Sequence, residues 1–432
     1  MSTTLMDQHL ILLAWVLAGV ISMFGVFTYS GLASLTEEGG GQFEYFRIIY
    51  GRFFAFLFGW TCFTVIQSAS IASIAYVFSE SVNNLLHFSD PLAAWNTLHV
   101  GNIYPFAHSG IKLFTILTIV VLTMINYRGV KNGGLLNDIF SSAKIIGILF
   151  LIVAGLLFRG NTSDNDVQHA AHLPLEDFNM LSGMFTAMLA AFWAYDGWIN
   201  LSYIGGEVKN PKKNIPIAIV GGTAAVMFIY VLVNYVYLKV LPVDQFVQID
   251  AAGNQIAAAE VARTILPGIG YTLISVLIMI CTFGATNASL MSSPRIYFQM
   301  AKKGLFFKSF GEVHPRFQTP HKSLIIQMIW SSLLVLSGTF DQLTEMLIFA
   351  SFIFYGMGAL GLLLMKRKGL ITVKVFGYPY IPVIFILFCI GLVINTLIES
   401  TTLSLIGLSF FAMGIPLYYF MRDERREMRD EK

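Results

Sequence analysis

Charge is what this sequence has least of. Asp, Glu, Lys and Arg supply 12% of its 432 residues, about half the roughly 25% of an average soluble domain. A chain so poor in charge cannot cover a large water-facing surface. Cysteine is sparse as well: Cys62, Cys281 and Cys389 lie in three different apolar runs with no CxxC spacing, which argues against a disulfide framework or a zinc site and makes them packing residues. The eight histidines fall in loops or at the ends of apolar runs, without HExxH or His-x3-His spacing, so neither a metal centre nor a cofactor is expected. No Walker A or GxGxxG loop occurs, and ATP therefore drives nothing here. Paired carboxylates or a histidine cluster at depth, the marks of a membrane-embedded enzyme, are missing, so no catalytic residue is expected. A channel's polar stripe and a sensor's soluble receiver region are missing too, and no nucleic-acid partner is implied.

What is present is apolar: 56% of the chain is hydrophobic and 14% aromatic. A hydrocarbon core about 30 Å thick takes roughly 20 apolar residues as a helix, and such runs recur along the whole length. Eleven are found, near residues 10–34, 53–79, 111–127, 137–158, 180–204, 215–240, 268–298, 323–337, 343–365, 378–397 and 401–421. The gaps between them are too short to bury a core of their own. The expected fold is an all-α, polytopic membrane protein whose single transmembrane domain covers residues 1–432 and ends in a short charged tail, 422–432. Its partner by composition is the lipid bilayer. Oligomeric state is not readable.

Lys and Arg near span ends are retained on the cytoplasmic side. Of 27 such residues, 22 follow odd-numbered spans; only Lys112, Arg159, Lys239 and Arg263 fall on the other side. The tail MRDERREMRDEK is then cytoplasmic, in the inner membrane of a bacterial cell, and eleven spans put the N-terminus outside. MSTTLMDQHL has no positive charge, which suits an outside start, and it lacks the basic n-region of a signal peptide. The expectation is that a first helix precedes these eleven spans, and that residues 1–432 alone insert without transporting. Glycines 39–41 are expected in a tight cytoplasmic turn.

Two charges interrupt the apolar runs. Asp196 is followed directly by Gly197 in FWAYDGWIN, eight residues before Ile204, and thus about 12 Å from the run's end at 1.5 Å per residue. Glycine lowers helix propensity by about 1 kcal/mol and aspartate hydrogen-bonds nearby backbone in place of the ladder, so the pair predicts a helix break. N–H groups freed after a break receive a carboxylate, and carbonyls freed before it receive an ammonium. An aspartate solvated by snorkelling is the competing reading. The second charge is Lys144, in NDIFSSAKIIGILFLIV. A lysine at mid-helix costs about 2.5–3.5 kcal/mol on insertion scales, so its default reading is functional; a buried structural pair is the alternative. Tyr230 and Asn287 line a site only if their helices do, and each reads equally well as an interhelical packing residue. The small residues of QSASIASIAY, including Ser68, read as helix-packing contacts.

The segments themselves carry a resemblance. LAWVLAGVISMFGVFTYSGLASLTEEGGGQFEYFRIIYGRFFAFLFGW resembles the second helix, cytoplasmic loop and third helix of amino-acid permeases of the amino acid-polyamine-organocation superfamily. FWAYDGWINLSYIGGEVKNPKKNIP is similar to their sixth helix and its loop, and SSPRIYFQMAKKG with VHPRFQTP to their eighth helix and its extension. L-type transporters and bacterial serine/threonine exchangers are the most similar subgroup. The resemblance implies a LeuT-like fold of twelve helices with an inverted repeat, in which the run 10–34 corresponds to helix two. It places Trp193, Ala194 and Tyr195 in an unwound segment beside Asp196 and Gly197, with Trp193 as an aromatic lid that favours small ligands. It makes Lys144 the stand-in for a coupling cation, and suggests a straighter helix at Ser68, where relatives frequently have proline. The implied function is sodium-independent transport, by exchange of small or medium neutral amino acids; the alternatives are a proton-coupled symporter or uniporter, or an inactive, N-terminally truncated permease.

Overall fold

The computed structural model describes residues 5, 7–99, 104–158, 177–252, 256–338 and 340–430, and every regular element among them is helical. Helix α1 (Gln8–Leu32) begins where Asp7 accepts the backbone N–H groups of His9 and Leu10 at 2.8 and 2.9 Å, satisfying two of the donors that a helix start leaves free. The short α2 (Gln42–Ile49) leads into α3, which runs from Arg52 to Leu86. Then follow α4 (Ser109–Tyr127), α5 (Val130–Leu157), α6 (Asp177–Tyr195) and the four-residue α7 (Asn200–Tyr203). After them come α8 (Pro211–Val240), the surface helices α9 (Val243–Ala252) and α10 (Ala257–Ile265), and α11, from Gly270 to Lys302. Helices α12 (His321–Ser337), α13 (Phe340–Arg367), α14 (Tyr380–Glu399) and α15 (Thr401–Asp430) complete the bundle. The eleven expected apolar runs are mainly helical, with 180–204 interrupted after Tyr195, and nine helical stretches among the described residues are long and apolar enough to cross a membrane. Arg159 and its loop, the Lys131 side chain and the side chains of the tail lie outside the described residues.

Burial separates the centre of the bundle from its rim. The apolar stretch of α3 is 83% buried, whereas those of α5, α8 and α15 are each 17% buried. The latter three therefore present most of their apolar side chains to lipid, and α3 is the hub. It packs most intimately on α11, and its small residues Ser68, Ala69, Ser70, Ala72, Ser73 and Ala75 are all buried, as expected where backbones must approach closely.

The hub is not a straight helix. Residues Cys62–Ile66 form a wide π turn, which corrects the straighter course expected at Ser68. A π turn leaves carbonyls without their usual partners; here the Phe63 carbonyl accepts from the Ser68 hydroxyl, and that of Thr64 from the Trp330 indole N–H at 2.9 Å. The irregularity is thus stabilised from α12.

Glycine sets the spacing between α1 and α13 at one point. The buried Tyr29 hydroxyl donates to the Phe354 carbonyl at 3.1 Å and accepts from Gln42 Nε2 at 2.6 Å, and a β-carbon on Gly358 would fall inside it. Gly358→Ala should cost about 1–3 kcal/mol as an overpacked core substitution, read as a lowered thermal midpoint of the detergent-purified protein. An unchanged midpoint would show that α1 and α13 have slack here.

Candidate functional site

The helix that begins at Asp177 stops at Tyr195 and resumes at Asn200. Gly197 takes φ +94°, a conformation that a β-carbon disfavours. The Asp196 N–H donates to the Trp193 carbonyl at 3.3 Å, and the Asn200 N–H to the Gly197 carbonyl at 3.0 Å; both are turn bonds replacing the helical ladder. The break expected at Asp196-Gly197 is therefore present, but Trp193, Ala194 and Tyr195, expected in the unwound segment, are the last turn of the helix before it.

Asp196 is half-buried. One of its carboxylate oxygens accepts from the Tyr355 hydroxyl of α13 at 2.7 Å, and among the described residues no Lys, Arg or His pairs with it. Beside it lies a small cleft lined by Ser22, Phe192, Asp196, Trp198, Phe352, Tyr355 and Phe385. A carboxylate without a counter-ion among aromatic walls is costly in a bilayer and is by default a functional group.

The neighbours of Asp196 diverge. Trp193 stands edge-on to Phe340 at 4.9 Å between ring centroids. Tyr195 turns toward α1 and α8, donating to the Trp15 carbonyl at 3.3 Å and meeting the Tyr230 ring at 5.3 Å. Trp198 lies against Tyr355, centroids 5.0 Å apart. Ala194 is half-buried between them. Tyr230 thus joins the break through Tyr195. Asn287, buried in α11, accepts from Asn126 Nδ2 of α4 at 2.8 Å, an interhelical bridge. Lys144 is half-buried on α5, within electrostatic reach of Cys281 on α11.

The partners that sequence reasoning missed are polar residues in otherwise apolar helices. Tyr355, in FIFYGMG, has no feature that separates it from a core tyrosine. Gln67 has a weak signal, an amide inside an apolar helix: its Nε2 donates to Asn200 Oδ1 at 3.4 Å and its Oε1 accepts from the Ser293 hydroxyl at 3.1 Å. It connects the residue just after the break to α3, which carries it, and to α11.

Beyond the break the chain is tied down by main-chain and ionic contacts. Gly40 and Gly41 take φ +97° and +50° in a tight turn, and the Gly40 N–H donates to the Tyr203 carbonyl at 2.8 Å. Arg295 pairs with Glu207 at 2.8 Å, Lys212 with Glu37 at 3.2 Å and Lys303 with Glu38. Arg295 is buried, but the other two pairs face solvent, and exposed pairs are worth about 0–1 kcal/mol each, weak enough to break and re-form. The hydrogen bond and charge of Lys303 hold the Glu38 carboxyl below its ordinary value of 4.5 against the opposing effect of partial burial, with Arg47 and Gln299 adding to the lowering. A carboxyl depressed in the folded state contributes stability that is present above its unfolded value and lost as pH falls through its folded one. Glu38→Gln should therefore lower the thermal midpoint slightly at neutral pH and flatten its decline below pH 4.5, so that the two proteins converge in acid. An acid limb identical to that of the wild type would remove the pair from the account.

A bundle of long apolar helices, one of them broken around a half-buried carboxylate, is the architecture of a multi-pass secondary transporter. The family model described as amino acid permease matches residues 2–421, and the chain belongs to that family. It is 29% identical over 424 residues to the serine/threonine exchanger SteT of Bacillus subtilis, covering 97% of this chain and 90% of the relative. The human b(0,+)-type amino acid transporter 1 is 28% identical over 418 residues, covering 95% and 80% of the two chains. The human large neutral amino acids transporter small subunit 2 is 26% identical over 414 residues, covering 95% and 73%. These relatives support the sodium-independent amino-acid exchange that the resemblance implied, and they do not favour proton coupling or an inactive permease.

Proposed function

We propose that the protein exchanges small or medium neutral amino acids across the cell membrane, without sodium, by alternating access around the Asp196-Gly197 break. The single observation that carries this reading is the break itself: an unwound turn at Gly197 beside a half-buried carboxylate that accepts from the Tyr355 hydroxyl and has no cationic partner among the described residues. Its freed N–H groups suit a substrate carboxylate and its freed carbonyls an ammonium. Trp193 acts as a lid over the ligand; its indole, larger than a phenylalanine ring, favours the small side chains of serine and threonine over bulky ones. Lys144 supplies from within the fold the positive charge that a coupling cation supplies elsewhere. The basic end of the bundle and the tail face the cytoplasm, a reading that the charge asymmetry supports.

The test is a substrate panel. Full-length protein in liposomes preloaded with unlabelled serine should take up labelled serine faster than empty liposomes do, and external serine or threonine should compete better than leucine or phenylalanine. Trp193→Phe should keep transport and admit the bulkier competitors. Identical competitor rankings in the two proteins would remove Trp193 as the lid, and equal uptake into empty and preloaded liposomes would exclude exchange.

A further inference from the structure

Much of the positive charge at the basic end of the bundle is neutralised in pairs. Arg47 meets Glu44, Lys212 meets Glu37, Arg295 meets Glu207, Lys303 meets Glu38 and Lys322 meets Glu312. The connection between α13 and α14 is built differently. From Lys366 to Tyr380 it reads KRKGLITVKVFGYPY, with four cations and no acid, and no Asp or Glu occurs anywhere between Glu345 and Glu399. Lys366 is used internally: its Nζ donates to the Val373 carbonyl at 2.6 Å and lies 5.8 Å from the centroid of the Tyr378 ring. Arg367, Lys368 and Lys374 are exposed, and among the described residues none of them is ion-paired.

The same connection exposes large apolar side chains. Leu370, Phe376 and Tyr380 are 60%, 68% and 76% exposed, and Val373 is exposed too. The segment is nevertheless held in place. Ile371 is buried, a β-carbon on Gly31 of α1 would strike Val375, and the Phe376 ring lies 4.8 Å from that of Phe27. The arrangement is anchored from within and aimed outward.

Neither bulk water nor hydrocarbon suits such a surface. Water does not favour so many exposed apolar side chains, and hydrocarbon does not accept three unpaired cations. The bilayer interface suits both, because the apolar groups enter the acyl boundary while the cations remain among phosphates. The flanking helices α13 and α14 are both long and apolar enough to span, so the connection lies at that depth. We propose that Lys366–Tyr380 is a docking surface for the phosphate-bearing headgroups of anionic lipid in the adjoining leaflet, with Arg367, Lys368 and Lys374 as the phosphate partners and Leu370 and Phe376 as the inserted groups. The proposal rests on the membrane-spanning fold and is independent of substrate choice.

It is tested by binding, not transport. The full-length protein in a mild neutral detergent is titrated with phosphatidylglycerol, phosphatidylcholine, inorganic phosphate or an acidic peptide, and affinity is read from the thermal midpoint and from lipid retained in native mass spectrometry. Phosphatidylglycerol should bind and raise the midpoint; the other three should not. The R367Q/K368Q/K374Q variant should bind phosphatidylglycerol about a hundredfold more weakly, at roughly fivefold per cation, and an Arg367→Lys/Lys374→Arg exchange should retain most of the affinity. Should the glutamine variant not purify folded, the wild type at low and high salt decides the question, since binding through these cations must weaken with salt. Equal phosphatidylglycerol affinity in wild type and variant, salt-independent affinity, an equal response to phosphatidylcholine or inorganic phosphate, or a stronger response to the acidic peptide would each overturn the proposal.

Discussion

Alanine in place of Gly197 should remove most exchange while leaving the protein inserted in the membrane. A β-carbon there would meet nothing closer than Asn200 Nδ2, at 3.5 Å, so space is not the obstacle. The backbone is, because φ +94° lies in a region that side-chain-bearing residues populate at a cost of about 1–3 kcal/mol. The cheapest relief is to rewind the turn, which would close the carbonyl and N–H groups that the break exposes. At about 1.4 kcal/mol per decade, the expected loss of turnover is roughly five- to a hundredfold. Gly197→Asn should do better than Gly197→Ala, since asparagine tolerates positive φ. Asp196→Ala should add a different defect, a buried Tyr355 hydroxyl without its acceptor, at about 1–3 kcal/mol. Initial rates of exchange in liposomes, normalised to inserted protein, check all three. A Gly197→Ala protein as active as the wild type would mean that the turn is incidental to transport.

The second large effect is expected at Lys144. If its ammonium replaces a coupling cation, its charge-assisted hydrogen bonds are worth roughly 1.5–3 kcal/mol each, and Lys144→Ala should lower turnover or apparent affinity tenfold or more. Lys144→Arg should restore only part of this, because a planar guanidinium does not replace a compact ammonium. A purely structural lysine would lower the thermal midpoint without altering the kinetics of the protein that remains folded. Unchanged kinetics in Lys144→Ala would assign the residue to the packing of α5 on α11, where its electrostatic reach to Cys281 already places it.

The long-range periodicity of the chain was legible because a bilayer imposes it: an apolar run long enough to span must be helical, and the runs are, apart from the break in 180–204. The break was legible for a related reason, since Asp196-Gly197 contradicts its surroundings in both polarity and propensity. The partners of the break were not. Tyr355 lies 159 residues from Asp196, and an aromatic residue in an apolar helix looks the same whether it packs or donates a hydrogen bond. The π turn at Cys62–Ile66 escaped because nothing local demands it; Trp330 and Ser68 stabilise it through contacts the linear pattern does not encode. Asn287 shows the converse limit, a polar residue in a spanning helix whose observed partner, Asn126, makes a bridge between helices.

The central claim is that a broken helix carries amino acids without sodium. It is tested most directly by labelled-serine exchange in liposomes holding the full-length protein, measured side by side in sodium and in choline buffer for wild type and Gly197→Ala. The account predicts equal wild-type rates in the two buffers, with exchange by Gly197→Ala reduced at least fivefold in both. A wild-type rate that collapses in choline, or a Gly197→Ala rate equal to that of the wild type, would contradict it.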